Sequence, residues 1–385
     1  MRAILAFLAA MLGAGPALAQ PELRLRPDGH VAAPTMFPIG VWLQSPGTAP
    51  RWRQTGVNLL LAQFQPTTTA VLDQFRAQRL AIVDKPRGAS AVAANRDVVQ
   101  GLMHMDEPDN RQPLPGGGWG DCIPVAETLA QGRALREAAA GRPVLLNFGQ
   151  GAARDDWEGQ GPSCRGEAYY RAAAEAADII SFDVYPVANV RGPLAGRLEL
   201  VPQGVARMLA WSGGRKPVWA ILETGPIHNA RIGPSPAEVR AQFWMAIIAG
   251  ARGIIWFAHG GEPFRSTMLL ENPLMVATVS ALNRRALALA PVLNAPPPTA
   301  PPARVTGEDI AVFQRRHEGM AYILLANHAR ERRSLELELP GGTTLQPIEG
   351  GAEVALQAGR HREELEPYGI RLWRVPLSAP GGRRR

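Results

Sequence analysis

The segment Pro217–Thr224, with the sequence PVWAILET, is an almost continuous apolar run up to Leu222, which is followed by a glutamate, Glu223. Similar short apolar runs recur between residues 39 and 259, with little alternation between apolar and polar residues. A strand with this pattern is covered on both faces, as in a parallel sheet flanked by helices. In chain order, the predicted strands are Ile39–Gln44, Asn58–Phe64, Leu80–Lys85, Leu102–Glu107, Pro143–Gly149, Ile179–Tyr185, Pro217–Thr224 and Gly253–His259.

Amphipathic segments separate these runs, among them Thr69–Gln78, Pro124–Ala140 and Pro236–Ala249. Eight strand-and-helix units over about 250 residues are typical of a (β/α)8 TIM barrel. A doubly wound open sheet is the rival fold, but it usually has a glycine-rich first turn, which this sequence lacks. The sequence therefore predicts an α/β protein built on a (β/α)8 barrel.

The segments on either side of the barrel differ from it in composition. Residues 1–19 start basic, continue apolar and end in Ala17-Leu18-Ala19, the pattern of a cleaved signal peptide. Residues 295–303, APPPTAPPA, are typical of a proline-rich linker, and short β-rich runs follow them. The predicted domains are a barrel over 20–294, a small C-terminal antiparallel β-sandwich over 304–377 and a disordered tail over 378–385.

The composition excludes several classes of protein. With 385 residues, 46% hydrophobic and 19% charged, the chain is neither disordered nor a small disulfide-stapled domain. The 41 basic and 34 acidic residues give a net charge of +7, but the basic residues are scattered, so we expect no nucleic-acid partner. No segment after the signal peptide has the roughly 20 uninterrupted apolar residues of a membrane span. We therefore expect an exported protein, periplasmic or extracellular.

The sequence has two cysteines, Cys122 and Cys164. An exported chain with an even number of cysteines favours a disulfide, the alternative being two unpaired thiols. They lie in the loops predicted to follow the fourth and fifth strands, which are neighbours in a barrel. A Cys122–Cys164 bridge would tie two loops of the barrel mouth together.

Glutamates end two of the apolar strands, Glu107 on the fourth and Glu223 on the seventh. Catalytic groups of a (β/α)8 barrel come from the carboxyl ends of its strands, and these two strands lie across the mouth from one another. Two carboxyl groups flanking one bond are what glycoside hydrolysis requires. The alternative is that each glutamate pairs with an arginine at the barrel rim.

Other polar and aromatic residues also stand at strand ends. A glycan site needs several such groups converging on one mouth. Those expected to line it are Trp42, Gln44, Gln63, Lys85, Asn147 and His259. The histidines have no metal-ligand spacing, so we expect no metal and no other cofactor.

Beyond these residues, the sequence resembles the glycoside hydrolases of clan A, and most closely a bacterial group of exported glycosyl hydrolases. The similarity covers residues 38–294, and the end of the chain resembles the closing strand of β domains that follow many such barrels. The segments that carry it are FPIGVWLQSP, GLMHMDEPDN, RPVLLNFGQG, DIISFDVYPV, RAQFWMAIIAGARGIIWFAHG, LAPVLNAP and ELEPYGIRLWRV. By this resemblance Glu107 matches the acid/base and Glu223 the nucleophile.

The resemblance implies roles for three more residues. Asp106 stands where the clan usually has an asparagine that contacts the sugar 2-hydroxyl. Tyr185 is expected to hydrogen-bond Glu223, and Trp256 to form an aromatic floor beneath the sugar, with the alternative that Trp256 is a core residue.

The sequence thus predicts an exported glycoside hydrolase that cleaves O-glycosidic bonds of an oligo- or polysaccharide with retention of configuration. Glu223 attacks the anomeric carbon while Glu107 protonates the leaving oxygen. The first alternative is a non-catalytic carbohydrate-binding TIM-barrel protein. The second, a metal-dependent hydrolase, needs clustered His and Asp residues that the sequence does not show.

Overall fold

The computed structural model describes residues 22–188, 195–227 and 231–377. The predicted signal peptide, residues 1–19, and the predicted tail, residues 378–385, lie outside these ranges. Within them, no helix is both long and apolar enough to cross a membrane.

Eight parallel strands form a closed barrel in sequence order, which confirms the predicted (β/α)8 fold. The barrel closes between the first and last strands, where Ile39 pairs with Ile254. Its strands are β1 (Ile39–Gln44), β2 (Leu59–Gln63), β3 (Ala81–Asp84), β4 (Val99–Asp106), β5 (Val144–Phe148), β6 (Ile179–Asp183), β7 (Val218–Glu223) and β8 (Gly253–Phe257).

Helices surround the barrel, and local sequence signals fix the ends of some of them. The sixth begins with a capping box, in which Ser235 and Glu238 satisfy each other's backbone N–H groups, and ends at Gly250 in the left-handed conformation. The helices are α1 (Ala49–Gln54), α2 (Thr69–Ala77), α3 (Val125–Ala138), α4 (Glu167–Ala174), α5 (Leu200–Trp211), α6 (Pro236–Ala249), α7 (Pro273–Ala288) and α8 (Ala290–Leu293).

The barrel strands separate two apolar layers. One lies inside the barrel and includes Leu61, Leu145, Trp219, Ile221 and Ile255. The other lies between the strands and the surrounding helices and takes the alternate residues of each strand. Both faces of every strand are therefore covered, which explains the near-continuous apolar runs in the sequence.

Two antiparallel sheets follow the barrel and pack as a sandwich, as predicted. One sheet has the order β10-β11-β16-β13-β14 and the other β15-β12-β9. Their strands are β9 (Arg304–Thr306), β10 (Ile310–His317), β11 (Met320–Asn327), β12 (Arg333–Glu338), β13 (Thr344–Pro347), β14 (Val354–Ala355), β15 (Arg360–Leu365) and β16 (Ile370–Pro376).

The larger sheet also packs against the barrel, chiefly against helix α6. Glu349 fixes this contact, since its carboxylate accepts hydrogen bonds from Arg240 at 2.7 Å and from the Trp244 indole at 3.1 Å. The β domain thus braces the outside of the barrel, on the far side of α6 from the strands.

Candidate active site

Glu107 lies directly after β4, at the carboxyl ends of the barrel strands. The pairing of β4 with β5 is irregular here. Met103 faces Leu145 and Asp106 faces Asn147, so β4 advances three residues where β5 advances two. Glu107 follows this bulge in the left-handed region, at φ 45°, a strained conformation for a non-glycine residue. The bulge brings Asp106 as well as Glu107 to the mouth.

The carboxyl group of Glu107 lies beside that of Asp183, the last residue of β6, close enough for each to shift the pKa of the other. Asn147, on the strand between, donates to Asp106 at 3.0 Å and to Asp183 at 3.3 Å, and its own oxygen accepts from Ser181 at 2.9 Å. The Asn147 amide therefore joins two acidic side chains, Asp106 and Asp183, from the ends of β4 and β6.

Burial, followed by the negative charge of Asp183, raises the pKa of Glu107 well above its ordinary value. Burial also raises the pKa of Asp183, although hydrogen bonds to this carboxylate oppose the rise. Two carboxyl groups this close cannot both ionise at low cost, and the negative charge of Asp183 favours the protonated form of Glu107.

Two further predicted residues stand beside this pair. Burial raises the pKa of Asp106, whereas the hydrogen bond from Asn147 and the positive charge of Lys85 oppose that rise. Lys85 therefore lies close enough to the site to act on Asp106 electrostatically. Tyr185 was expected to bind Glu223, but the donors to Glu223 are Val187, Ala188 and Gln242. Tyr185 lies beside Asp183, and burial, followed by the charge of Asp183, raises the pKa of the tyrosine. Lys85, Asn147 and Asp106 thus lie where the sequence placed them, whereas the partner predicted for Tyr185 is wrong.

The surroundings of Glu223 differ from those predicted. Its side chain is 0% exposed, and its oxygens accept from the backbone N–H groups of Val187 at 2.9 Å and Ala188 at 2.7 Å. Gln242 on α6 donates a third hydrogen bond at 2.9 Å. Glu223 therefore ties the loop after β6 to helix α6 and presents no accessible oxygen to a substrate. Its predicted role as nucleophile finds no support in this geometry.

The free energy of unfolding is expected to depend on Glu223. Burial raises its pKa to about 7 and the pKa of buried Asp109 to about 6, from ordinary values of 4.5 and 3.8. The folded chain thus keeps protons that the unfolded chain releases between about pH 4 and 7, so stability falls as pH rises through this range.

The variant Glu223→Gln cannot ionise, so its urea midpoint should fall less between pH 5 and pH 8 than that of the wild type. Circular dichroism during urea titration measures both midpoints. Glu127→Gln, at an exposed glutamate of α3, is the matched control and should keep the wild-type dependence on pH. An equal fall in the Glu223 variant would contradict this account.

Trp256 is a core residue, so its predicted contact with the sugar is wrong. It is fully buried, stacks on Phe243 of α6 with 5.6 Å between ring centroids, and donates from its indole to Asn283 of α7 at 2.9 Å. It belongs to the layer between barrel and helices, because period-two alternation along β8 points Ile255 inward and Trp256 outward.

Four other predicted residues make contacts within the protein itself. The Gln63 amide bonds Thr67 at 2.6 Å and the backbone of Gln65, so it stabilises its own loop instead of facing a sugar. His259 uses Nε2 on the carbonyl oxygens of Trp42 and Leu43, at 3.0 and 2.9 Å. Gln44 and Trp42 are buried at the end of β1, Trp42 in the inner apolar layer.

The sequence reasoning missed the phenylalanines around His259. The His259 ring lies 5.9 Å from Phe64, 5.0 Å from Phe257 and 5.6 Å from Phe264, measured between centroids. Phe257 in turn lies 5.0 Å from Tyr185, the partner of Asp183. Phenylalanines after β2 and β8 carry no polar group that would have marked them as site residues.

A disulfide joins Cys122 and Cys164, which confirms the predicted bridge. It ties the loops after β4 and β5, and Asp121 adds hydrogen bonds to the Cys122 backbone at 2.8 Å and to Ser163. The loop after β4 starts at Glu107, whose carbonyl oxygen accepts from the backbone of Asn110 at 3.1 Å. The bridge therefore restrains the segment that carries Glu107.

Removing this bridge is expected to destabilise the fold. The two cysteines are 42 residues apart, and closing a loop of this size stabilises a protein by about 2–4 kcal/mol. The double variant Cys122→Ala/Cys164→Ala should therefore unfold at a lower urea concentration, and wild type treated with reductant should match it. An unchanged midpoint in both samples would count against a restraining role.

Among the described residues, no group of three or more His, Cys, Asp or Glu side chains is arranged to hold a metal ion.

No family model and no curated protein matches the sequence. Solved structures do match. A catalytic mutant of the GH42 β-galactosidase Gan42B from G. stearothermophilus aligns over 92% of this chain and 100% of its own, at 9% identity and a TM-score of 0.52. The α-galactosidase I of Mortierella vinacea aligns over 91% and 99%, at 10% identity and 0.48, and an Anoxybacillus α-amylase over 91% and 100%, at 8% and 0.44. The structural neighbours of this chain are thus TIM-barrel glycoside hydrolases, and at these identities the likeness is one of fold.

Proposed function

We propose that this chain is a glycoside hydrolase acting on O-glycosidic bonds of an oligo- or polysaccharide. Glu107 is the general acid and Asp183 the second carboxylate. The observation that carries the proposal is the closeness of these two carboxyl groups at the mouth of the barrel. The disulfide between the loops after β4 and β5 is consistent with the expected oxidising compartment, periplasmic or extracellular.

Glu107 has the properties of a general acid. Burial and the charge of Asp183 raise its pKa, so it keeps a proton at a pH where an ordinary glutamate is ionised. Glu107 is half-buried at the mouth of the barrel, whereas Glu223 is fully buried. A proton held this way can pass to the oxygen of a leaving group.

Asp183 is favoured over Glu223 as the second carboxylate. It lies beside Glu107, and the hydrogen bond from Asn147 favours its ionised form. Glu223 has other partners and no exposed surface. Glu107 and Asp183 thus supply the two carboxyl groups that glycoside hydrolysis requires.

The proposed reaction keeps the retaining, double-displacement route. The Asp183 carboxylate forms a bond to the anomeric carbon as the glycosidic C–O bond breaks, and the Glu107 proton moves to the leaving oxygen. Ionised Glu107 then takes a proton from water, whose oxygen attacks the anomeric carbon and releases Asp183. Retaining glycosidases hold their two carboxyl groups about 5–5.5 Å apart. The entering sugar must therefore move the side chains of Glu107 and Asp183 to that separation.

A screen of aryl glycosides and polysaccharides tests this proposal. Turnover by the wild type, reduced in Glu107→Gln, supports the hydrolase. The exposed rings around His259 favour one second candidate, a non-catalytic carbohydrate-binding barrel. Binding of a glycan without turnover of any member of the screen would replace the first function with the second.

A further inference from the structure

A continuous row of aromatic rings leads away from the acidic pair. Tyr185 contacts Asp183, Phe257 contacts Tyr185, and His259 contacts Phe257, with 5.0 Å between the centroids at each ring step. Beyond His259 the row ends in two rings, Phe64 and Phe264. We call these five residues the aromatic track.

The outer end of the aromatic track is open to solvent. Phe64 is 46% exposed and Phe264 is 61% exposed, whereas Tyr185 and His259 are buried. Burial also lowers the pKa of His259, which favours the uncharged form of the ring between the two phenylalanines. An exposed aromatic surface thus lies at the rim, and buried rings connect it to the acidic residues.

Both exposed rings stand on braced loops. The loop of Phe64 is held by the Gln63 amide and by Arg87, which donates to the Gln63 carbonyl oxygen at 2.7 Å. Phe264 lies within a turn closed by Gly260 and Arg265, whose backbones exchange hydrogen bonds at 3.0 and 2.8 Å. A Cβ atom at Gly260 would clash with the Pro226 carbonyl oxygen, so only glycine allows this turn to sit so close to the barrel.

The charges at the inner end of the aromatic track restrict what can occupy it. Asp106, Glu107 and Asp183 meet there, and Lys85 is the cation that reaches Asp106. A uronic acid or a sulfated sugar would bring a further negative charge to this cluster. A neutral pyranose avoids this repulsion and presents an apolar C–H face to an aromatic ring.

We infer that the aromatic track is a glycan subsite, in which Phe64 and Phe264 stack on neutral pyranose units of the chain that the acidic pair cleaves. The inference rests on the proposed function for the position of the scissile bond. Phe64 and Phe264 bind sugar units away from the scissile bond, and the acidic cluster of Asp106, Glu107 and Asp183 sets the charge class of the substrate. Gln63 is a positioning residue that acts through Phe64.

Binding to the Glu107→Gln variant tests this inference without requiring turnover. Calorimetric titration uses neutral hexaoses (cello-, malto-, manno- and xylo-) and hexagalacturonate as the anionic counterpart. Phe64→Ala and Phe264→Ala, each added to Glu107→Gln, should weaken binding of the preferred neutral hexaose about three- to tenfold. Phe64→Tyr keeps a ring and should bind as the parent does.

Val312→Ala is the matched control, because it shortens an exposed apolar side chain of the β domain. Its affinity should equal that of the parent. Equal affinity in the two Phe→Ala variants, tighter binding of hexagalacturonate, or no binding of any neutral hexaose would each overturn the inference. If the wild type binds through these rings but hydrolyses nothing, the proposed function fails and the subsite stands.

Discussion

Glu107→Gln is expected to lower kcat on a natural glycan by about 10²- to 10⁴-fold, the usual contribution of a general acid. Glutamine has nearly the same size and shape, but its amide is too weak an acid to protonate the leaving oxygen. The loss should be smaller on a dinitrophenyl glycoside, because that leaving group departs as a stable anion. Initial rates on the two substrates measure this difference.

The dependence on the leaving group separates acid catalysis from damage to the fold. A misfolded variant would lose activity on both substrates by the same factor. Glu127→Gln, which changes an exposed glutamate in the first turn of α3, should keep wild-type rates on both. Full activity of Glu107→Gln on the natural glycan would remove Glu107 from the mechanism.

Asp183→Asn is expected to reduce turnover of every substrate by about 10³-fold or more, as loss of a nucleophile does. Unlike the Glu107 variant, it should lose as much activity on the dinitrophenyl glycoside as on the natural glycan, because the bond to the anomeric carbon cannot form. Its thermal midpoint should stay close to that of the wild type, because the asparagine oxygen can still accept the hydrogen bond from Asn147.

Glu223→Gln is the informative comparison for Asp183→Asn. Glu223 accepts hydrogen bonds from Val187, Ala188 and Gln242, so its replacement should change stability and leave kcat within a few-fold of wild type. If Glu223→Gln abolished turnover while Asp183→Asn did not, the carboxylate pair predicted from the sequence would be right and the pair proposed here would be wrong.

The fold was predictable because both of its signals are local. Runs such as Val218–Glu223 are apolar on both faces, and amphipathic segments of helical period separate them, so the sequence predicts a covered parallel sheet. The change to β-rich runs after residue 303 equally predicts the sandwich. The disulfide followed from cysteine number and from the adjacency of the two loops in a barrel.

The site was only partly predictable, because strand irregularities decide which side chains share the mouth. Glu107, Asn147 and Lys85 follow from the rule that sites lie at the carboxyl ends of strands. The bulge after Met103 and the positive φ of Glu107 cannot be read from a period of two, and they direct Glu107 toward Asp183. The sequence left open which way Asp183 faces.

The roles predicted for Glu223 and Trp256 assumed that both side chains face the barrel mouth, whereas each contacts other parts of the protein. The Trp256 side chain points outward, into the layer between the barrel and the helices, where its indole donates to Asn283. Glu223 ends its strand beside a loop whose backbone N–H groups bind both carboxylate oxygens. Neither contact leaves a signal in the sequence of the strand that carries the residue.

Covalent trapping tests most directly whether Glu107 and Asp183 form the catalytic pair. A 2-deoxy-2-fluoro aryl glycoside of the sugar that the screen identifies should accumulate as a glycosyl-enzyme. After tryptic digestion, we expect the added mass on the peptide of residues 172–191, at Asp183. The same mass on the peptide of residues 216–231, which contains Glu223, would contradict the account.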